Sequence, residues 1–185
     1  KRIGAGPDGA QLVCSFSHHT AAARATSAEF LVNANESLAE ASAFFREAST
    51  IIITLGTAWT FRFNATGEIV SNCLKRDAKE FTRERLSMKT CSILLNSLVG
   101  KYPQKRFIFT VSPIRHLKDG AHGNQISKST LLMAVESVVE NHQDQCAYFP
   151  AYEIMMDELR DYRFYAEDMV HPSQQAVNYI WERFC

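Results

Sequence analysis

Two stretches of the chain are apolar and β-branched or aromatic without alternation. They are Thr50-Ile51-Ile52-Ile53-Thr54-Leu55 and Arg106-Phe107-Ile108-Phe109-Thr110-Val111. Unbroken runs of this length predict strands buried on both faces of a parallel sheet. Between and after them the apolar period changes to that of helices. Ser27 is a candidate cap for a helix reaching about Ala48, with Phe30, Leu31, Leu38, Phe44 and Phe45 as its stripe. Ser87 starts a second helix, carrying Leu94, Leu95 and Leu98 to about Val99 and ended by Gly100 and Pro103. Ser127 starts a third, through Val139, with Leu131, Leu132, Val135 and Val138 inward.

Shorter signals fill the gaps. Residues 1–10 are rich in Gly and polar residues and read as a loop. Gln11 to Ser17 is a candidate strand. Phe61 to Val70 reads as a hairpin turning near Asn64-Ala65-Thr66-Gly67, and Lys118 to Gln125 as a polar loop. Ala147 to Pro150 is a short strand, Tyr152 to Leu159 a helical turn or two, and Ser173 to Phe184 a closing helix. Strands alternating with helices predict an α/β fold with a mainly parallel sheet.

Composition narrows the function classes. Twenty Lys and Arg balance twenty Asp and Glu, which argues against a nucleic-acid footprint or a polybasic membrane surface. No apolar run is long enough to span a bilayer, and no leader-like segment follows Lys1. At 185 residues, of which 46% are hydrophobic, one domain is expected. Five cysteines, an odd and scattered set, argue against a disulfide framework or a zinc site and favour a reducing, cytoplasmic setting.

Loops at the ends of parallel strands are where open α/β sheets place their sites. Four features fall there: the Gly56-Thr57-Ala58 turn, Ser112-Pro113-Ile114-Arg115-His116, Tyr152-Glu153, and Asp168-Met169-Val170-His171-Pro172. The last pairs an acid with a histidine three residues on, the spacing of an orienting Asp and a general-base His. Arg115 has two readings: a substrate-facing cation, or a structural ion pair with Asp157, Glu158 or Asp168. His116 is a candidate site residue or a strand-end cap. His18-His19 is a weak metal candidate, because neighbours on a strand point opposite ways. Trp59, Trp181 and the phenylalanines read as core.

Several blocks together resemble the GSCFA-domain family. They include Thr54-Leu55-Gly56-Thr57-Ala58-Trp59, Val70-Ser71-Asn72-Cys73, Thr110 to Gly120, Asn124 to Ser129, Tyr148 to Glu153, Asp157 to Arg163 and Asp168 to Ser173. The likeness runs from about residue 50 to the end. That family is similar to the SGNH/GDSL hydrolases, so the resemblance implies a flavodoxin-like three-layer sandwich and a Ser-His-Asp esterase site. Asp168 and His171 would be its acid and base. Gly56, Thr57, Asn72, Ser112, Arg115 and His116 are candidates for the oxyanion and substrate contacts. No cofactor or metal is implied, and the expected substrate is a small-molecule or carbohydrate-linked ester.

The sequence departs from the family pattern twice. The Gly-Ser-Cys-Phe-Ala segment that would carry the nucleophile is absent, and Ala58 stands where SGNH/GDSL proteins place an Asn. Two expectations follow. Either the chain is the C-terminal part of a longer SGNH-like domain, the preferred reading, or residues 11–17 replace the missing strand, with Ser15 or Ser17 as nucleophile. The alternatives on function are a non-catalytic binding module and an acyltransferase to a carbohydrate.

Overall fold

The computed structural model describes residues 12–185. The predicted loop over residues 1–10 and the first residue of the predicted strand at Gln11 lie outside them. The described residues form two compact units: Trp59–Arg85 with the chain up to Ala48, and Ser49–Ala58 with Leu86–Cys185.

The first unit holds helix α1 (Ser27–Glu47) and an antiparallel sheet. Its order is β3 (Ile69–Val70), β2 (Trp59–Phe63), β4 (Phe81–Arg85). The predicted hairpin is β2–β3, turned at Gly67, whose φ of 73° suits a residue without a Cβ. Strand β4 was not foreseen. It is a charged edge, Thr82-Arg83-Glu84-Arg85, with little apolar signal, and it forms by pairing with β2. Residues 12–17 are not a strand. They make one bridge, Val13 to Arg24, then a turn. That turn still supplies core: Phe16 packs tilted on Phe63 at 4.8 Å and edge-on to Phe81 at 5.7 Å, beside buried Cys14 and Leu74.

Helix α1 departs from its predicted stripe. Of the five residues only Phe30 is buried, while Leu31, Leu38 and Phe44 are exposed. The cap is Thr26 rather than Ser27. Thr26 Oγ1 accepts from Glu29 N–H and Glu29 Oε2 accepts from Thr26 N–H, a reciprocal capping box. Thr26→Ala is expected to cost about 1 kcal/mol, read as a lower urea midpoint for the first unit.

The second unit is α/β. Its parallel sheet runs β1 (Thr50–Leu55), β5 (Arg106–Val111), β6 (Cys146–Phe149). In the register Ile51, Ile53, Phe107, Phe109, Cys146 and Tyr148 share one face. Helices α2 (Met88–Lys101) and α3 (Gly120–Asn141) cover it through Val99, Val135 and Val138. Strand β5 is central and deeply buried, as predicted. Strand β1 is not buried on both faces: Ile52 is 53% exposed and Thr54 is also open. The reason is position, since β1 lies at the sheet edge with β5 as its one partner among the described residues.

The opposite face carries Ile52, Thr54, Thr110 and Phe149, and opens into an apolar cavity of about 470 Å³ with α5 (Gln174–Phe184) on its other wall. Trp181 of α5 is 61% exposed at this cavity rather than in a core. Helix α3 starts at Gly120, so most of the predicted polar loop 118–125 is its first turn, and Gly100 lies inside α2 rather than ending it. Beyond β6, Ala151–Glu153 (α4) runs on into a π turn, Ile154–Glu158. No helix among the described residues is long and apolar enough to cross a membrane.

Candidate functional site

Strands β1, β5 and β6 are parallel, so their C-terminal ends lie at one edge of the sheet. The loops leaving them carry Gly56, Ser112 to His116 and Tyr152. The fourth loop, before α5, closes on the same edge: Arg115 N–H donates to Val170 O at 3.3 Å.

That loop is built locally. Asp168 Oδ1 accepts from the backbone N–H of Val170 and of His171, both at 2.9 Å, while Oδ2 bonds His171 Nδ1 at 2.5 Å. Met169 takes a left-handed φ of 59° to let the chain wrap the carboxylate. The His171 backbone and side-chain bonds, then the Val170 bond, hold the Asp168 carboxyl down at about 2. It is an anion throughout the ordinary pH range. A carboxylate can only accept, so Nδ1 carries the proton and Nε2 is left with a free lone pair. Both side chains are about half exposed, at 49% and 58%, which leaves Nε2 reachable.

The Gly56 and Ser112 loops are tied together by a residue that sequence reasoning passed over. Lys128 of α3 is completely buried, and its Nζ donates to Gly56 O and to Ser112 O, each at 2.6 Å. His116 Nε2 donates to the same Gly56 carbonyl at 3.2 Å. Burial lowers the Lys128 ammonium to about 8. One residue earlier, Ser127 Oγ accepts from Ala58 N–H at 2.8 Å and bonds Thr57 Oγ1 at 3.0 Å. Ser127 and Lys128 thus staple the whole Gly56-Thr57-Ala58 turn. The available signal was Ser127 itself, a polar residue four before Leu131 on the inward face of the helix.

Ala58 is buried among Cys91, Val111, Leu131 and Tyr152, so this position points into the core. Ser112 is buried too, with its Oγ accepting from Ile114 N–H. The ion-pair reading of Arg115 is not met. Asp157 pairs with Arg160, Glu158 with Arg183 and Asp168 with His171. Arg115 instead stacks over Tyr165 at 3.8 Å and reaches Met169 O at 3.4 Å. Tyr148 donates to Glu153 at 2.7 Å, and burial with that carboxylate pushes its phenol up.

Two candidates belong to the first unit. Asn72 Oδ1 accepts from Leu74 N–H at 2.7 Å, a local turn bond. Ser15 Oγ bonds His18 Nδ1 at 2.6 Å and accepts from Ser17 N–H. His19 Nδ1 accepts from Ala21 N–H and caps a short 3₁₀ turn. No three His, Cys, Asp or Glu side chains converge as a metal site among the described residues.

The curated proteins and the solved structures offer no match to this chain. A family model does match, that of the GSCFA family, over residues 8–184. With nearly its whole length covered, and with the strand-end loops arranged as described, the chain belongs to the GSCFA family.

Proposed function

We propose that the chain carries the acid–base half of a serine hydrolase acting on an ester or acyl group. The observation that carries this reading is the Asp168–His171 pair, held at 2.5 Å with Nε2 turned away from the acid. In that arrangement His171 Nε2 takes the proton from a serine hydroxyl as it attacks the carbonyl, then returns it to the leaving alcohol. Asp168 holds the tautomer and stabilises the imidazolium. Water repeats the cycle to release the acid. An oxyanion donor must come from backbone amides or polar side chains near Thr57 and Ser112 rather than from Ala58.

The nucleophile, in this proposal, comes from a segment preceding residue 1 of a longer SGNH-like domain with a flavodoxin-like sheet. Support comes from the second unit itself. An edge strand as apolar as β1 is a hazard in water, and Ile52, Val177 and Trp181 leave apolar surface open beside it. Thr110 Oγ1 is buried on that face with no hydrogen-bond partner among the described residues. A further strand beside β1, followed by a helix over the cavity, would cover all three features. The cytoplasmic setting belongs to the same proposal and rests on the odd cysteine count.

The experiment is labelling with a fluorophosphonate. The protein extended upstream should take the label on one serine outside residues 1–185, and the 185-residue chain should take none. Label on Ser15 of the shorter chain would move the nucleophile there. An extended protein that takes no label would sink the hydrolase reading.

A second reading is a non-catalytic binding module. It is favoured by Ala58, 2% exposed, in the place of an oxyanion-binding side chain. The labelling result separates the two. An acyltransferase to a carbohydrate would label as a hydrolase does and is told apart by its products.

A further inference from the structure

Between the Ser112–His116 loop, the start of α3 and Tyr162 lies a second cavity, of about 370 Å³. Its polar lining comes from Arg115, His116, Asn124, Gln125, Tyr152 and Tyr162, and no Asp or Glu lines it. Most acceptor atoms of the group are already used within the protein. Asn124 Oδ1 accepts from His116 N–H at 3.0 Å, and Gln125 Oε1 accepts from Tyr152 OH at 2.5 Å. His116 Nε2 and Tyr152 OH are spent as donors in these contacts. What remains is mostly donors, the Arg115 guanidinium, the amide NH₂ groups of Asn124 and Gln125 and the Tyr162 hydroxyl, with His116 Nδ1 left as an acceptor.

The charge balance has the same sign. Arg115 has no carboxylate partner among the described residues, and its candidate partners Asp157, Glu158 and Asp168 pair elsewhere. The Lys128 ammonium, 6.0 Å from the Tyr152 ring, is hydrogen-bonded by two carbonyl oxygens, with no carboxylate against it among the described residues. A half-buried guanidinium fixed by Tyr165 and Met169 O is already oriented, so little side-chain entropy is lost when it takes a ligand. Its fork of N–H groups suits two oxygens of one anion.

We infer that this cavity binds an anionic oxygen group, a phosphate or a carboxylate, carried by the ester on which His171 acts. The inference rests on the hydrolase reading for the word ester; the anion site itself does not. Arg115 is joined through Val170 O and Met169 O to the loop that holds Asp168 and His171. His171 itself lines the apolar cavity beside α5, and that cavity and this one adjoin at Pro113, which lines both. The substrate class is an ester bearing a negative charge on the part that is not attacked.

The test uses three ligands with one ring in common: phenyl phosphate, phenylacetate and phenyl β-glucoside. Titration of the protein should give saturable NMR shifts of the Asn124 and Gln125 side-chain amides with an anion and none with the glucoside. The tighter of the two anions identifies the group. Arg115→Gln should weaken that anion by about tenfold or more. Gln125→Glu, at an exposed position that keeps the acceptor for Tyr152, should weaken it similarly by placing a carboxylate in the cavity. His171→Ala should bind the anion unchanged. Equal affinity for the glucoside, or unchanged anion binding in folded Arg115→Gln and Gln125→Glu, would overturn the inference. Anion binding without ester hydrolysis leaves it standing while the hydrolase reading falls. Hydrolysis that prefers neutral esters does the reverse.

Discussion

His171→Ala in the upstream-extended protein is expected to lower kcat on a p-nitrophenyl ester by about 10⁴-fold or more. In the proposed mechanism the base and its orienter act as one unit, so Asp168→Asn should fall in the same direction through the wrong tautomer at Nδ1. Folding should hardly respond. His171 is exposed, and its hydrogen bonds beyond the Asp168 side chain are backbone bonds of one turn. A paired measurement checks both halves: ester turnover by absorbance, and Tm by calorimetry. Unchanged kcat would remove His171 from the mechanism. A collapse of Tm along with kcat would show instead that the loop is structural.

Lys128→Ala is expected to be the most damaging single change to stability, at roughly 3–5 kcal/mol. It empties the space of a fully buried side chain and leaves Ser112 O, and part of the demand of Gly56 O, without a donor. Lys128→Met keeps most of the stem and isolates the loss of Nζ, so it should cost less, about 1–3 kcal/mol.

The pH dependence separates the charge from the hydrogen bonds. The folded-state value, about 8, lies below the ordinary 10.5, so between these limits the unfolded chain binds the extra proton. Burying the ammonium therefore opposes folding fully below pH 8. That opposition fades as pH rises from about 8 towards 10.5. Wild-type stability minus that of Lys128→Met should rise across this window and be flat below it. Urea unfolding of both proteins at several pH values measures the difference and cancels the cysteine and tyrosine titrations common to both. A flat difference across the window would mean that Nζ keeps its ordinary value and stays an ammonium.

The strands on either side of the site illustrate what a pattern can and cannot carry. The Ile51–Leu55 and Phe107–Val111 runs look alike in sequence, and both form parallel strands. Only β5 is flanked on both sides, and so only it is buried as the pattern implies. Strand β4 carries almost no apolar signal because its order comes from its neighbour. In α1 the error ran the other way, with a convincing stripe of which only Phe30 is buried. Periodicity reports which residues share a face, not whether anything lies against it.

The same division runs through the site. The Asp168–His171 pair is legible because it is local. The carboxylate meets amides two and three residues ahead and a ring three ahead, all within one turn. The sequence by itself also determined the α/β class, the loops at the strand ends and the family. The tertiary structure alone decided what those loops hold. Lys128 reaches carbonyls 72 and 16 positions away, and Ser127 meets Ala58 across 69. Arg115 proved to lack a carboxylate only once Asp157, Glu158 and Asp168 had each found another partner. The physical reason is range. A turn's hydrogen bonds are fixed by neighbours along the chain, whereas a buried ammonium or a solitary guanidinium is defined by which distant groups packing brings within about 3 Å.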